Sequence, residues 1–197
     1  MNIQYDFYNP EEIIPVSGFL KNKKLSKYFN RETSAAITAV SKLLTDIKYS
    51  ETMPFYYATG WIEYEDYGLE LIAEGSLGDD KKFSNKNFIK NGLSKISPLN
   101  QFKILQNMPL AFISIEKNLR GDNSVVYSSA SSLLVNALYS INNNGILIGA
   151  GKVYSDGCAA SGFAIISKSE IQNSKFIDSE CEAIQMFREW NNAGCVI

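Results

Sequence analysis

Two wholly apolar segments in the last third of the chain constrain its fold more than any other feature. Residues 146–148 (Ile-Leu-Ile) and 163–166 (Phe-Ala-Ile-Ile) contain no polar side chain. Continuous apolar strands are typical of a sheet that other structure covers on both faces. The 14 residues between them leave little room for a parallel crossover, which needs a dozen or more, so we expect the two strands to pair antiparallel.

Apolar periodicity predicts further strands and helices in alternation. Strands are predicted at residues 2–8, 53–58, 124–127, 146–148 and 163–166, and helices at 32–48, 64–72, 109–115, 133–141 and 183–190. Gly75, Gly121 and Gly145 are expected to end the second, third and fourth helices. Asn107 is expected to cap the third, and a Ser179-x-x-Glu182 capping box to open the fifth. Polar residues 78–95 are expected to form an exposed excursion. The order β-α-β-α-α-β-α-β-β-α predicts a three-layer α/β/α sandwich around a mixed, mostly parallel five-stranded sheet. We expect a single domain over 1–197, with its core at about 1–168 and a helical extension at 169–197.

Composition excludes several classes of function. The 197 residues include no histidine, so Ser-His-Asp and Cys-His catalysis and histidine-ligated metal sites are excluded within this chain. Nineteen basic residues against 21 acidic ones give a formal net charge of −2. Nucleic-acid-binding proteins need an electropositive face, so we expect no nucleic-acid partner. The sequence predicts neither a metal nor another cofactor.

Cysteine usage and apolar run length predict the compartment. Cys158, Cys181 and Cys195 are odd in number and form no Cys-x-x-Cys pair, which is typical of free thiols in a reducing cytoplasm. Residues 1–15 lack the apolar core of a secretion signal, and no apolar stretch approaches the ~18 residues of a membrane span. We therefore expect a cytoplasmic protein without a membrane span.

A glycine pair after the first apolar strand allows two interpretations. The sequence Ile148-Gly149-Ala150-Gly151-Lys152 is similar to a phosphate-binding loop. It lacks the first glycine of that motif, because Ile146 stands there, and Val153 replaces the magnesium-binding Ser or Thr. The alternative is close backbone packing at a strand end.

A serine run between a predicted strand and helix also allows two interpretations. Ser128, Ser129, Ser131 and Ser132 flank Ala130 where nucleophile elbows and anion-binding helix N-termini occur. A serine nucleophile needs a base, which histidine cannot supply here. The alternative is that Ser128 or Ser129 caps the helix.

Five short segments, in order, resemble the β-ketoacyl synthases. The run from Gly121-Asp122-Asn123 through Val125-Val126-Tyr127-Ser128-Ser129-Ala130-Ser131-Ser132-Leu133 resembles their nucleophile region, which reads G-P-N, a short strand, then T-A-C-S-S-S-L. The other four segments are residues 53–60, Ser97-Pro98 with Gln106-Asn107 and Ala111, residues 146–151, and residues 156–166. The resemblance covers roughly residues 1–168 and implies half of a thiolase-like fold. The most similar members would be chain-length-factor-like and divergent single-half proteins.

Departures from the family pattern imply a silent site. Ala130 stands in the place of the acyl-accepting cysteine, and a methyl group has no nucleophilic atom. Complete ketosynthases have a second half, which supplies two histidines and a lysine. This chain corresponds to one half and contains no histidine. The resemblance therefore implies an accessory subunit, without elongase activity of its own, in fatty-acid or polyketide (polyene-type) biosynthesis. Its partners would be a ketosynthase or a second copy, and an acyl carrier protein.

Two other functions remain open. In the first, the chain is a stand-alone acyl or small-molecule binding module. Its pocket beside Ala130 would draw on candidate residues Ser128, Ser129, Ser131, Asn107, Gly149 and Gly151. The second is an α/β-hydrolase-like or nucleotide-binding protein, which the missing histidine and the incomplete glycine motif disfavour.

The resemblance also predicts how the chain assembles. Thiolase-like proteins pair through the strand before the nucleophile, which gives interface candidates Ser124, Val125, Val126 and Tyr127, backed by Phe112 on the preceding helix. We expect a dimer that buries at least ~1,200 Å². A Val126→Asp change should dissociate it, and the helix with Phe187 and Trp190 should cover part of the remaining exposed face.

Overall fold

The structure, a computed structural model, describes residues 1–60, 69–141 and 145–193. The strands are β1 (Asn2–Tyr8), β2 (Phe55–Thr59), β3 (Asn123–Tyr127), β4 (Ile146–Val153) and β5 (Ala159–Ile166). The helices are α1 (Arg31–Leu44), α2 (Leu69–Gly75), α3 (Asn85–Asn87), α4 (Pro98–Ile104), α5 (Met108–Lys117), α6 (Ala130–Ser140), α7 (Lys168–Gln172) and α8 (Ala183–Asn192). Short 3₁₀ turns lie at Val16–Phe19, Lys23–Tyr28 and Leu93–Lys95, and a π-helical turn lies at Phe88–Gly92.

Internal contacts divide the chain into two compact units. The sheet unit comprises Met1–Tyr64 and Gln106–Ile197, and the insert unit comprises Glu65–Leu105. The expectation of a single domain over 1–197 stays a prediction. No helix in the described ranges is long and apolar enough to traverse a lipid bilayer.

The sheet of the sheet unit is mixed, and four of its strands run in one direction. The order is β1-β5-β4-β2-β3; β4, β2 and β3 are parallel neighbours, whereas β5 is antiparallel to both β1 and β4. The predicted antiparallel pairing of β4 with β5 is confirmed in the register Leu147↔Ile165. Every residue of β4 is buried, as its apolar start at 146–148 predicts, and the strand continues beyond that segment through Lys152 to Val153.

Helices cover both faces of the sheet and complete the three layers. On one face, α1 and α5 pack over Phe55, Tyr57 and Phe163; on the other, α6 and α8 pack over Ile146 and Ile148. Helix α8 buries Phe187 and Trp190 and lies directly on β5. A Cβ atom at Gly162 would overlap Phe187, so only glycine permits this approach.

Two predicted helix ends are corrected by the structure. Helix α5 ends at Lys117 rather than Gly121, because Asn118 takes the left-handed conformation (φ 54°) that closes it. Gly121 instead packs so tightly on the carbonyl of Thr52 that a Cβ would overlap it. Before α8, the N-cap is Glu182 without a side-chain capping bond, so the predicted box from Ser179 is absent.

The insert unit consists of short helices and turns. Helix α2 ends at Gly75 as predicted, whereas Tyr64 and Tyr67 lie outside the described residues. Ser84 caps α3, and the rings of Phe83 and Phe88 lie 5.8 Å apart. Residues 78–95 are mostly exposed, which confirms the predicted surface excursion.

Candidate functional site

Three parallel strands end side by side, and this edge is the candidate site. Thr59 of β2 is level with Tyr127 of β3 and with Gly151 of β4. In open α/β sheets, ligands bind outside the carboxyl ends of the strands. Ser128 and Ser129 follow β3 directly, so the structure places them at this edge.

A sharp turn joins β3 to α6. Ser128 adopts φ +48°, an uncommon conformation for a residue other than glycine, and its N–H donates to the Thr59 carbonyl at 3.1 Å. The Ser129 side chain accepts a hydrogen bond from the Ser132 N–H at 3.1 Å and is the N-cap of α6. The structure thus gives Ser129 the capping role, one of the two alternatives left open by the sequence.

Ala130 lies at the first position of α6 and is fully buried. Its N–H donates to the Cys181 carbonyl at 2.8 Å, and the Ser131 N–H donates to the Ser179 carbonyl at 3.2 Å. The Ala183 N–H in turn donates to the Ser128 carbonyl at 2.6 Å. Residues 179–183, here called the closing segment, therefore occupy the start of α6.

These hydrogen bonds change what the start of α6 can bind. Free N–H groups at a helix N-terminus form a site for anions, since they carry the positive end of the helix dipole. At Ala130 and Ser131 the closing segment supplies carbonyl oxygens in that place. The protein's own backbone thus fills the position that an oxyanion or acyl carbonyl would take.

An ion pair anchors the closing segment to the sheet. Lys152 is 6% exposed, and its ammonium lies 2.7 Å from a carboxylate oxygen of Glu182. The same ammonium lies 5.2 Å from the centroid of the Tyr154 ring. The sequence analysis did not predict this ion pair. A charged residue inside a buried apolar strand was the available signal that it has a buried partner.

The glycines of β4 make room for two aromatic side chains. A Cβ at Gly149 would overlap the Phe163 ring, and a Cβ at Gly151 would overlap the Tyr57 hydroxyl. That hydroxyl donates to Glu32 at 2.8 Å. Burial, then the adjacent carboxylate, raise the pKa of Tyr57 well above its usual value. The environment of Gly149 and Gly151 therefore agrees with close packing rather than with a phosphate-binding loop.

Asn107 does not join this edge. It is the exposed N-cap of α5, and α5 lies on the opposite face of the sheet from α6. The six pocket candidates therefore do not line one pocket. Asn107 lies on the other face of the sheet, the three serines lie at the start of α6 beneath the closing segment, and the two glycines lie in the packed strand β4. The described residues also contain no cluster of three Cys, Asp or Glu side chains that could hold a metal ion.

The interface candidates lie on an edge of the sheet. Within the described sheet, β3 has a strand neighbour on one side, β2. The Phe55 N–H donates to the Asp122 carbonyl, and the Ser128 N–H donates to the Thr59 carbonyl. Because peptide groups alternate in direction along a strand, Val125 between them directs its N–H and C=O away from β2.

Side chains beside this edge differ in exposure. Phe112 is 6% exposed and packs on Phe29 with a ring distance of 4.7 Å, so the structure places it in the core. Ile115, the last residue of the predicted apolar helix, is 65% exposed on α5, and Tyr139, which the sequence analysis did not name, is 86% exposed on α6. These helices pack on the two faces of β3. The helical periodicity of α5, rather than its overall apolar composition, would have predicted that the Ile115 side chain is exposed.

Two of the three cysteines lie in the described part of the chain. Cys158 is buried and Cys181 is partly buried, and neither forms a disulfide with a described residue. Cys195 lies outside the described residues. Burial, followed by the neighbouring Asp156, raises the pKa of the Cys158 thiol, so it is a poor nucleophile.

Comparisons with known proteins identify the fold. No protein-family model matches the sequence, and no curated protein matches it. Nineteen chains of solved structures match the structure. One is the ishigamide ketosynthase/chain length factor, with 13% sequence identity and a TM-score of 0.50 over 85% of this chain and 50% of that one. The chain thus spans half the length of that protein and has the ketosynthase-like, thiolase-like α/β fold that the sequence predicted.

Proposed function

We propose that this chain is a non-catalytic ketosynthase-like subunit that acts beside an active condensing enzyme in fatty-acid or polyketide (polyene-type) biosynthesis. The observation that carries the proposal is Ala130, a fully buried residue without a nucleophile at the start of α6. The fold shared with a ketosynthase/chain length factor supports the pathway class. The proposal includes an acyl carrier protein as a further partner and the cytoplasm as the compartment.

Condensation chemistry requires groups that this site does not supply. A ketosynthase-type reaction needs a thiolate to accept the acyl group, and it needs donors that stabilise the oxyanion formed on the thioester carbonyl. The Ala130 methyl group cannot form a thioester. The N–H groups of Ala130 and Ser131 already donate to protein carbonyls. Both requirements are therefore unmet at one place, which favours a supporting role.

A supporting subunit needs a surface for its partner, and the β3 edge is the proposed one. Val125 presents its N–H and C=O at this edge, and Ile115, Tyr127 and Tyr139 are exposed on β3 or on the helices beside it. Unpaired strand edges pair readily with a second strand, and exposed apolar side chains add buried area. We propose that β3 pairs antiparallel with a second copy or with a ketosynthase.

The binding-module alternative is less well supported. It requires a pocket beside Ala130, where the closing segment now lies. The described cavities of about 580 and 460 Å³ have other linings, formed by α8 with residues near α7 and by α8 with residues of β1. An acyl chain beside Ala130 would have to break the three backbone hydrogen bonds that the closing segment makes there.

Two experiments test the proposal. The purified chain, given acyl and malonyl thioesters, should yield no condensed product above the enzyme-free rate, and a clear product would overturn the silent site. For assembly, a Val125→Pro variant removes the outward N–H at a position where an edge strand tolerates proline. We expect light scattering to show a dimer for the native chain, either a homodimer of the chain alone or a heterodimer when it is co-expressed with the ketosynthase of the same organism. Val125→Pro should be a monomer under both conditions.

A matched control separates the edge from the fold. Val125→Thr keeps the branched side chain and the N–H, so it should dimerise like the native chain. Val126→Asp is less informative, because the Val126 side chain is partly buried under the α6 face and the charge would disturb the fold. A native chain that stays monomeric under both conditions would overturn the assignment of β3 to an interface.

A further inference from the structure

A cavity of about 460 Å³ lies on the α8 face of the sheet, away from Ala130. Its walls come from β1 (Tyr5 and Phe7), from the residue after β4 (Tyr154) and from α8 (Arg188 and Asn191). Its volume falls within the ~300–1,000 Å³ of small-molecule sites. Of these residues, the description of the α6 site involved only Tyr154, whose ring lies 5.2 Å from the Lys152 ammonium.

The apolar part of this cavity is aromatic. The rings of Phe7 and Tyr154 lie 6.3 Å apart at an interplanar angle of 51°. Phe7, near the end of the edge strand β1, is 47% exposed. Tilted rings offer both a face and an edge to a third ring, which is the geometry that aromatic groups prefer.

The polar part contains an available cation. In the described part of the chain, no carboxylate pairs with the Arg188 guanidinium. Its charge reaches into the cavity: burial and then Tyr154 raise the pKa of Tyr5 to about 12, and Arg188 opposes that rise.

The one carboxylate of the lining is already engaged. Asp156 accepts a hydrogen bond from the Cys158 N–H at 2.9 Å, and this bond lowers the pKa of Asp156. The carboxylate therefore remains ionised. A single guanidinium beside a retained negative charge favours a ligand with one negative charge over a dianion such as a phosphate monoester.

We propose that this cavity binds a planar aromatic carboxylate, with its ring against Phe7 and Tyr154 and its carboxylate on Arg188. A guanidinium matches a carboxylate through two parallel hydrogen bonds, and the Asn191 amide supplies a further donor. The inference is independent of the proposed accessory role, because it uses neither Ala130 nor β3.

The test uses two probes of the same ring and size, 4-fluorobenzoate, which is an anion, and 4-fluorobenzamide, which is neutral and replaces one carboxylate oxygen with an NH2 group, observed by ¹⁹F NMR titration of the whole chain. We expect the benzoate to bind at least tenfold more tightly than the benzamide. Arg188→Gln should remove this preference, because it deletes the charge at an exposed position that the fold does not need. Arg120→Gln, an identical change at an exposed arginine beside Glu51, is the control and should leave the preference intact.

A second variant tests the aromatic wall. Phe7→Leu should weaken both probes by a similar factor, because it removes a ring and no charge. Equal binding of the two probes, an unchanged preference in Arg188→Gln, or no binding of benzoate at millimolar concentration would each overturn the proposal. Circular dichroism of each variant establishes that the fold is retained.

Discussion

The ammonium nitrogen of Lys152 lies 2.7 Å from a carboxylate oxygen of Glu182, and this ion pair joins the sheet to the closing segment. Lys152 is buried near the end of β4, and Glu182 is the residue before α8. The pair lies beside the hydrogen bonds that the closing segment makes with α6. A charge in a buried strand thus fixes the segment that covers Ala130.

Removal of the Lys152 charge should destabilise the protein. In Lys152→Met the Glu182 carboxylate loses its partner, so we expect the free energy of unfolding in urea to fall by about 1–3 kcal/mol, less than for a fully buried pair because Glu182 is partly exposed. Lys175→Met is the control: that ammonium lies 2.8 Å from Glu189 but is 73% exposed, and its loss should cost under about 0.5 kcal/mol. Equal effects in the two variants would contradict the anchoring role.

Gly162→Ala should displace α8. The added Cβ would overlap Phe187, and a packed core accommodates extra volume at a cost of about 1–3 kcal/mol. Urea unfolding measures this loss. Gly18→Ala, where nothing lies within 4 Å of the added Cβ, should leave the free energy of unfolding nearly unchanged or slightly higher. A stable Gly162→Ala protein would show that α8 does not lie on β5 as described.

Alkaline pH should weaken the fold through Tyr57. Its pKa is raised in the folded state, so its contribution is fully present below the unfolded value near 10 and is lost as the pH rises from there toward the folded value. Each such tyrosine reduces the free energy of unfolding by about 1.4 kcal/mol per pH unit in that window. Tyr57→Phe should lower this slope by one proton between pH 10 and 11. An identical slope in the variant would contradict the assignment.

Ala130→Cys should yield a thiol that is protected from solvent. Residue 130 is fully buried beneath the closing segment, so iodoacetamide should label the new cysteine at least tenfold more slowly in the native protein than in urea. Asn136→Cys, at an exposed position of the same helix, should be labelled at similar rates in both states. Peptide mass spectrometry reports both rates. Rapid native labelling at position 130 would show that the closing segment leaves α6 readily.

Local patterns predicted the elements that depend on local chemistry. The apolar runs predicted β4 and β5, and the serine run predicted the cap at Ser129. The same type of rule failed at Ser179 and Glu182, because tertiary contacts compete there: Glu182 turns to Lys152 and the Ala183 N–H turns to Ser128. A capping box of identical pattern does form at Ser167 and Glu170, because one carboxylate oxygen of Glu170 stays on Ser167 while the other pairs with the Met1 ammonium.

The sequence predicted one part of the candidate site, the turn before Ala130, but not the closing segment that covers it. The turn before Ala130 lies between a strand and a helix, so its place at the sheet edge followed from local order. The closing segment is about fifty residues away along the chain, and nothing local at residues 179–183 indicates its target. Long-range pairing of this kind depends on how α8 packs, which periodicity alone does not determine.

The hydrogen bonds between the closing segment and α6 also have a kinetic consequence. The amide protons of Ala130, Ser131 and Ala183 are all held in the same small ladder, although they belong to two helices. We expect such a ladder to open as one cooperative unit, so hydrogen exchange should give these three protons one common opening free energy. The starts of α6 and α8 would then open together, and the same opening would expose Ala130 to solvent.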